Sequence, residues 1–370
     1  MKDPRIQQLA QQLIQYSVRL QKNEKILIDI HDHADDFAVA LVEETYKVGG
    51  IPFVNQESNR IKRALLMNAT KEQQDALLRY ELLRMQEMDA YIAIRKSDNI
   101  TELSDVSKEK MNLYNEFYGK LHLENRVKNT KWCVLRYPSA SMAQQASMST
   151  EAFEDYYFAV CGLNYKKLKE LMLPLKELMD RTDRVRIIAN DTDLEFSIKG
   201  RNGGICCGNA NIPDGEICLA PVKESVNGTI TYNIPSNFQG FTYRDISLTF
   251  KDGKIIHATA NDTARINAVL DIDPGARYIG EFAIGVNPYV NRAIVDTLFD
   301  EKMTGSIHFT PGDGGDNRSS IHWDIIQSHT PEFGGGAIYF DDKLIRKDGL
   351  FQDKELLNLN PENFKKLIEE

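Results

Sequence analysis

The chain changes its periodicity once, near residue 180, and that change limits the folds open to it. Before it, short apolar runs alternate with helical stripes. Lys25–Ile30, Ile51–Val54, Tyr91–Ile94 and Lys131–Leu135 read as strands. Between them lie helical segments: Ile6 to Leu20, Phe37 to Tyr46 ended by Gly49-Gly50, about 62–87, and about 108–123. This βαβα order predicts a mostly parallel sheet with helices on both faces. More helix runs from Glu151 to about Met179. From Arg184 onward short strands dominate, with Asn227-Gly228 and Asp252-Gly253 as expected two-residue hairpin turns. The expected architecture is an α/β domain over 1–180, then an antiparallel α+β domain over 181–370, the one that carries the metal-site candidates set out below. A closing helix is expected after Asn360 as cap and Pro361 in the first turn, with Phe364, Leu367 and Ile368 as its packed stripe.

Composition narrows the function. A chain of 370 residues exceeds a typical single core. Its net charge of −9 argues against nucleic acid and anionic membrane surfaces as partners. No apolar run reaches the ~18 residues of a membrane span, and Met1-Lys2-Asp3-Pro4 leads into a polar helix rather than a secretory signal. The five cysteines are odd in number and lack CxxC spacing, so a reducing cytoplasm is expected. Adjacent Cys206 and Cys207 are read as buried apolar residues, because a vicinal disulfide is strained. No glycine-rich phosphate loop follows the first strand. His31-Asp32-His33 stands there instead, at a strand end where α/β sheets bind ligands. With Asp35 and Asp36 it imitates a metal site, but both acids suit the first turn of a helix, so a structural role is expected. His257 and His329 lack convincing partners and are also read as structural.

Chemistry concentrates in the second half. His322 and Asp324 are two apart, so on a strand they share a face while Trp323 packs behind. His308 lies just upstream in Gly305-Ser306-Ile307-His308, across a short glycine-rich loop. Two imidazoles and a carboxylate converging in this way are the parts of a divalent-metal site. Glu216 opens a strand after the turn Pro213-Asp214-Gly215, which fixes its position. Glu281 sits in the apolar run Ile279 to Gly285, where an unpaired carboxylate is costly and a metal would remove the cost.

Four ordered words surround these residues: Asn211-Ile212-Pro213-Asp214-Gly215-Glu216, Ser225-Val226-Asn227-Gly228-Thr229, Gly280-Glu281-Phe282-Ala283-Ile284-Gly285-Val286-Asn287-Pro288, and Ile321-His322-Trp323-Asp324. Together they resemble the aminopeptidase T / aminopeptidase S family of metallopeptidases. The resemblance runs through the catalytic half and extends into the first, as at Ser149 to Asp155. It implies Glu216, Glu281, His308, His322 and Asp324 as ligands of two divalent ions, with one carboxylate bridging. Such ions lower the pKa of a bound water and polarise the scissile carbonyl; Zn, Co and Mn all suit this donor set. The implied enzyme is a homodimeric, cytoplasmic aminopeptidase acting on short peptides, with the first domain of one subunit helping to enclose the other's site.

One departure stands out. Members of the family carry a catalytic tyrosine a few residues after the first metal-binding histidine. Here His308 is followed by Phe309-Thr310-Pro311-Gly312-Asp313-Gly314-Gly315-Asp316. Asp313 is the candidate to replace the tyrosine, and Tyr289 from another loop is the other. For Asp313 and Asp316 the alternative is plain turn chemistry. Two rival functions follow: another metal-dependent amide or ester hydrolase, or a metal-binding relative without catalysis.

Overall fold

The computed structural model describes residues 3–369. Contacts divide the chain into two compact units, Met1–Gly162 with Gly208–Ile212, and Leu163–Cys207 with Pro213–Glu370. The helix Tyr165–Arg181 therefore belongs with the second unit, and a short strand from 211–212 returns to the first.

The first unit is built on a parallel sheet of β1 (Lys25–His31), β2 (Ile51–Glu57), β3 (Ala90–Arg95) and β4 (Lys131–Arg136). The strand order is β2-β1-β3-β4, with Asn211–Ile212 added in parallel beyond β4. Leu27, Tyr91, Ala93 and Val134 share one face and pack with Met85 and Leu121. Helices α1 (Pro4–Gln12), α2 (Asp35–Lys47), α3 (Asn59–Met67), α4 (Lys71–Met85) and α5 (Lys108–Tyr118) belong to this unit.

The helical stretch over 62–87 is two helices rather than one. Thr70 ends the continuity, because its side chain accepts the Gln73 N–H and starts α4 afresh. The stretch from Glu151 to Met179 also breaks, into Thr150–Cys161 and Tyr165–Arg181, with Asn164 capping the second. Both breaks were hidden because a cap residue in a polar stretch leaves the apolar period intact.

The second unit holds an eight-stranded antiparallel sheet and a six-stranded one. In the six-stranded sheet the order is Asn317–His322, Ser306–Gly314, Ile279–Gly285, Glu216–Leu219 and Gly204–Cys206, with Ile326–Ser328 also on Ser306–Gly314. Phe282 and Phe309 face Phe196 of the larger sheet, with ring centroids 5.0 Å from it. The period of two then fixes the opposite face. Glu281 and Ala283, His308 and Thr310 alternate with those phenylalanines and point away from the aromatic core.

Asp252-Gly253 makes the expected tight hairpin, both residues having positive φ, 48° and 83°. Asn227-Gly228 does not make a turn. It lies in the strand Asn227–Thr231, and a Cβ on Gly228 would come 2.1 Å from the Asp193 carbonyl oxygen. The glycine permits close strand approach instead of a reversal. At the last helix, the Asn360 side chain bonds the Phe351 backbone in both directions. Phe364 is buried as expected, and Leu367 is half-buried. The side chain of Ile368 falls outside the described residues.

Candidate metal centre

Four chain segments meet on the polar face of the six-stranded sheet. Gly215, at φ 128°, brings its backbone against Asn287, whose backbone N would lie 3.2 Å from any Cβ there. That turn delivers Glu216 to the start of its strand, paired with Gly285. Glu281 sits opposite Thr310, and His308 opposite Ala283, whose methyl leaves room in front of the imidazole. The hairpin after Gly314 then returns His322 opposite Gly312. A Cβ on Gly312 would come 2.1 Å from the Ile321 carbonyl oxygen, so only glycine allows the two strands this close.

The side chains converge. His308 Nε2 lies 3.0 Å from Glu281 Oε1 and 4.0 Å from Asp324 Oδ1, and its Nδ1 lies 3.6 Å from Glu216 Oε2. His322 Nε2 is 3.1 Å from Asp324 Oδ1. The strand stops at His322, yet Asp324 still turns to the same side. Trp323 goes the other way, buried and stacked on Phe238 at 4.6 Å, with its Nε1–H donated to Ser236 Oγ at 2.8 Å. Three sets of ligand atoms are close enough to hold an ion: Glu216, Glu281 and His308; Glu281, His322 and Asp324; and Cys206, Glu216 and Cys218. Glu281 belongs to the first two, and Glu216 to the first and the last.

Residues around the cluster hold it in place. The Asp313 carbonyl accepts the His322 Nδ1–H at 2.8 Å, which turns Nε2 toward Asp324. The Thr310 hydroxyl donates to Asp324 Oδ1 at 2.7 Å. The carboxylate of Asp313 accepts the Ser319 N–H at 3.3 Å, so it serves the hairpin itself. Tyr289 lies with its ring 5.2 Å from Lys365 Nζ. The nearby Tyr232 hydroxyl is spent on the Phe309 carbonyl at 3.0 Å.

Lys302 joins the cluster without any motif to announce it. It is fully buried, and its Nζ donates to Glu216 Oε1 at 2.5 Å and to Glu301 at 2.8 Å, with Asp214 at 3.5 Å. The only signal was the charged triplet Asp300-Glu301-Lys302 set in apolar surroundings, six residues before His308. Cys206 and Cys218 are free thiols with sulfurs 3.7 Å apart, beside Glu216. Cys207 is buried.

The electrostatics ask for cations. Burial pulls His308 down, but Glu216, Glu281 and Asp324 carry it up to about 10. His322 is likewise penalised by burial and raised to about 10 by Asp324. Burial lifts Glu216 despite Lys302 and His308, and lifts Glu301 to about 8. Burial opposes ionisation of Asp324, yet the two imidazoles hold it well below the usual carboxylate range. Two buried atoms, Glu216 Oε2 and His308 Nδ1, have no hydrogen-bond partner. Unsatisfied donor atoms of carboxylate and imidazole facing each other are what a divalent ion would satisfy, so the residues present fit a metal.

Elsewhere among the described residues, His31, Asp32 and His33 do not form a group able to hold an ion. Asp32 instead accepts the Asn59 N–H at 2.8 Å and ties the end of β1 to the start of α3. His329 is buried between Gln327 and Arg346, and His257 is exposed.

Comparison with known proteins fits this geometry. Residues 2–349 match the thermophilic metalloprotease family, M29. The chain is a member of that family. Aminopeptidase PepS of Streptococcus thermophilus is 23% identical over 381 residues, spanning 87% of this chain and 91% of that protein. Aminopeptidase T of Thermus thermophilus is 24% identical over 343 residues, spanning 82% and 84%. Wild-type AmpT from Thermus thermophilus superposes with a TM-score of 0.80 at 20% identity, over 95% of this chain and 99% of that one. A 2,5-dihydroxypyridine dioxygenase from Pseudomonas putida KT2440 shares the fold at a TM-score of 0.60 and 12% identity, over 95% and 98% of the two chains. The M29 fold carries the expected parallel sheet in its first part and antiparallel sheets in its second. Membership makes this chain a metallopeptidase and implies a divalent metal cofactor. No described helix is long and apolar enough to cross a membrane.

Proposed function

We propose that this M29 member is an aminopeptidase using two divalent ions. Glu216, Glu281 and His308 would hold one, and Glu281, His322 and Asp324 the other. The observation that carries the reading is that Glu281 is common to two ligand sets; the relatives named as aminopeptidases support it. When bound, such ions lower the pKa of water and polarise a scissile carbonyl, and Zn, Co and Mn each suit the donors.

The chain's own residues prepare the site. Lys302 occupies Glu216 Oε1 and leaves Oε2 for the ion. The Asp313 carbonyl fixes the His322 tautomer, and Thr310 orients Asp324. The carboxylate surplus would also attract the free α-amine of a short peptide and select its first residue. Asp313 would then act through its carbonyl, and its carboxylate would not be the proton carrier that replaces the family's tyrosine.

A cytoplasmic homodimer is part of the proposal. The sheet edge β2 exposes Ile51, Phe53 and Val54, an apolar edge that proteins ordinarily cover. Light scattering over a dilution series should report a dimer.

The decisive test is hydrolysis of unblocked aminoacyl substrates beside their N-acetylated forms, after loading with Zn, Co or Mn. Only the unblocked forms should turn over. Equal rates on both would indicate a different amide or ester hydrolase.

A further inference from the structure

The sheet of the first unit has a topological switch point. From β1 the chain goes to β2 on one side and then to β3 on the other, and β1 and β3 are adjacent. Open α/β sheets bind ligands at the carboxyl ends of the strands at such a point. Here those ends carry His31 and Arg95 directly paired, with Glu57 beside His31 on β2. One step back, Asp29 pairs with Ala93, so the floor beside it has only a methyl.

Above that floor is a cavity of about 280 Å³, bounded by the strand ends and by residues of α3, α4 and α5. A dry cavity of about 150 Å³ already takes benzene. Ile61, Leu65, Leu77 and Phe117 give it apolar walls.

Its acids are already matched. Asp29 accepts from Asn55 and from the Tyr91 hydroxyl, each at 2.8 Å, and lies 3.8 Å from Arg126. Glu57 pairs with Lys62 at 2.8 Å, and Glu81 with Arg84 at 2.5 Å. Arg95 differs. Its guanidinium bonds the Tyr118 hydroxyl, and no carboxylate of the described residues pairs with it. Two more polar atoms of the lining are buried without partners, Arg126 Nε and Gln74 Oε1. A mostly buried cation and an orphaned N–H beside apolar walls call for an occupant that brings negative charge and an apolar body.

Phosphate is the poorer match. The N–H groups that could cradle it, Asn59 at the start of α3 and Asp98 after β3, are taken by the Asp32 carboxylate at 2.8 and 3.4 Å, which would also repel it. A carboxylate suits the planar fork of arginine.

We infer that the cavity at the β1/β3 switch point of the first unit binds a small carboxylate with an apolar or aromatic side chain, held by Arg95. Free apolar amino acids and the C-terminal residue of a short peptide are two sources of that chemistry. Its lining shares no residue with the metal ligands, and the inference does not depend on the aminopeptidase reading.

The test is calorimetric titration of the full chain, treated with chelator, using 3-phenylpropionate, L-phenylalanine, Gly-Phe and phenethylamine. At least one of the three carboxylates should bind once per chain, and phenethylamine, which lacks the acid, should not. Arg95→Met should weaken binding roughly ten- to hundredfold, the worth of a charge-assisted hydrogen bond. Glu281→Gln, which alters the metal centre, should leave it unchanged. Leu65→Glu, at an exposed position on the cavity lining, should also weaken it and serves if the arginine variant does not fold. Preference for phenylalanine would identify a free amino acid, and preference for Gly-Phe a peptide end. The inference fails if no carboxylate saturates the protein. It fails equally if phenethylamine binds as well as they do, or if the folded Arg95 and Leu65 variants bind as the parent does.

Discussion

In the first unit, buried Asp29 is surrounded by an asparagine, a tyrosine and an arginine, and the more exposed Glu57 is paired with a lysine, so acid is met by base. In the second, Asp214, Glu216, Glu281, Glu301 and Asp324 gather about one lysine and two imidazoles. Burying a charge is tolerable when it is paired. The first cluster is balanced from within except at Arg95, where it lacks an anion. The second lacks cations. Opposite deficits predict opposite ligands, and that contrast can be broken experimentally.

The largest effect is expected at Glu281. Glu281→Gln removes the carboxylate common to both ligand sets, so bound metal and turnover should both be lost, as metal analysis beside an activity assay will read. Retention of full metal content would undo the assignment.

Next comes Lys302. Lys302→Met should destabilise metal-free protein by about 3–5 kcal/mol in denaturant titration, because it leaves Glu216 and Glu301 buried without their cation. Added Zn should restore part of that loss. Arg126→Met, its counterpart in the balanced cluster, should not respond to Zn.

The contrast also has a pH signature. Without metal, His308 and His322 hold their protons up to about pH 10, whereas an ion needs both rings neutral. Raising the pH through neutrality therefore strengthens metal binding, by about a hundredfold per unit if about two protons leave. Calorimetry in buffers of different ionisation enthalpy counts those protons. Flat affinity between pH 6 and 8 (roughly the range where both rings stay charged) would contradict the raised values.

Smaller effects follow at the supporting residues. Thr310→Val removes the hydroxyl that orients Asp324, and should weaken metal affinity about ten- to hundredfold by equilibrium competition with a chelator. Asp313→Asn keeps the carbonyl that holds His322. Its kcat should stay within about threefold of the parent, far less than the ~10²–10⁴ supplied by a general acid or base. A larger fall would return the proton-transfer role to its carboxylate.

Much of this was legible in the chain itself. Strand identity for β1, β3 and β4 followed from apolar runs buried on both faces, whereas β2 was read from an apolar run that stays largely exposed; the candidate ligands were picked out by residue chemistry joined to family likeness, and the structure brings their side chains together. The helix breaks at Asn68 to Thr70 and at Gly162 to Asn164 were not, because capping is local and leaves the apolar stripe undisturbed. Asn227-Gly228 misled because a glycine needed for strand approach has the same appearance as one needed for reversal. Lys302 was missed for a different reason: a lysine is ordinarily exposed, and its burial depends on acids far away in sequence, Asp214 and Glu216. The switch-point cavity likewise depends on strand register, which sets Ala93 beside Asp29 and Arg95 beside His31.

The placement of Trp323 has an optical consequence. The chain has two tryptophans, and this one is joined in sequence to His322 on one side and Asp324 on the other. Its indole is wedged against Phe238 and Tyr243 and tethered to Ser236. A cation held by the two flanking side chains changes the electric field at that ring. With Trp132 replaced by phenylalanine, the colour and intensity of the remaining emission become a built-in gauge of site occupancy, readable in real time without any label.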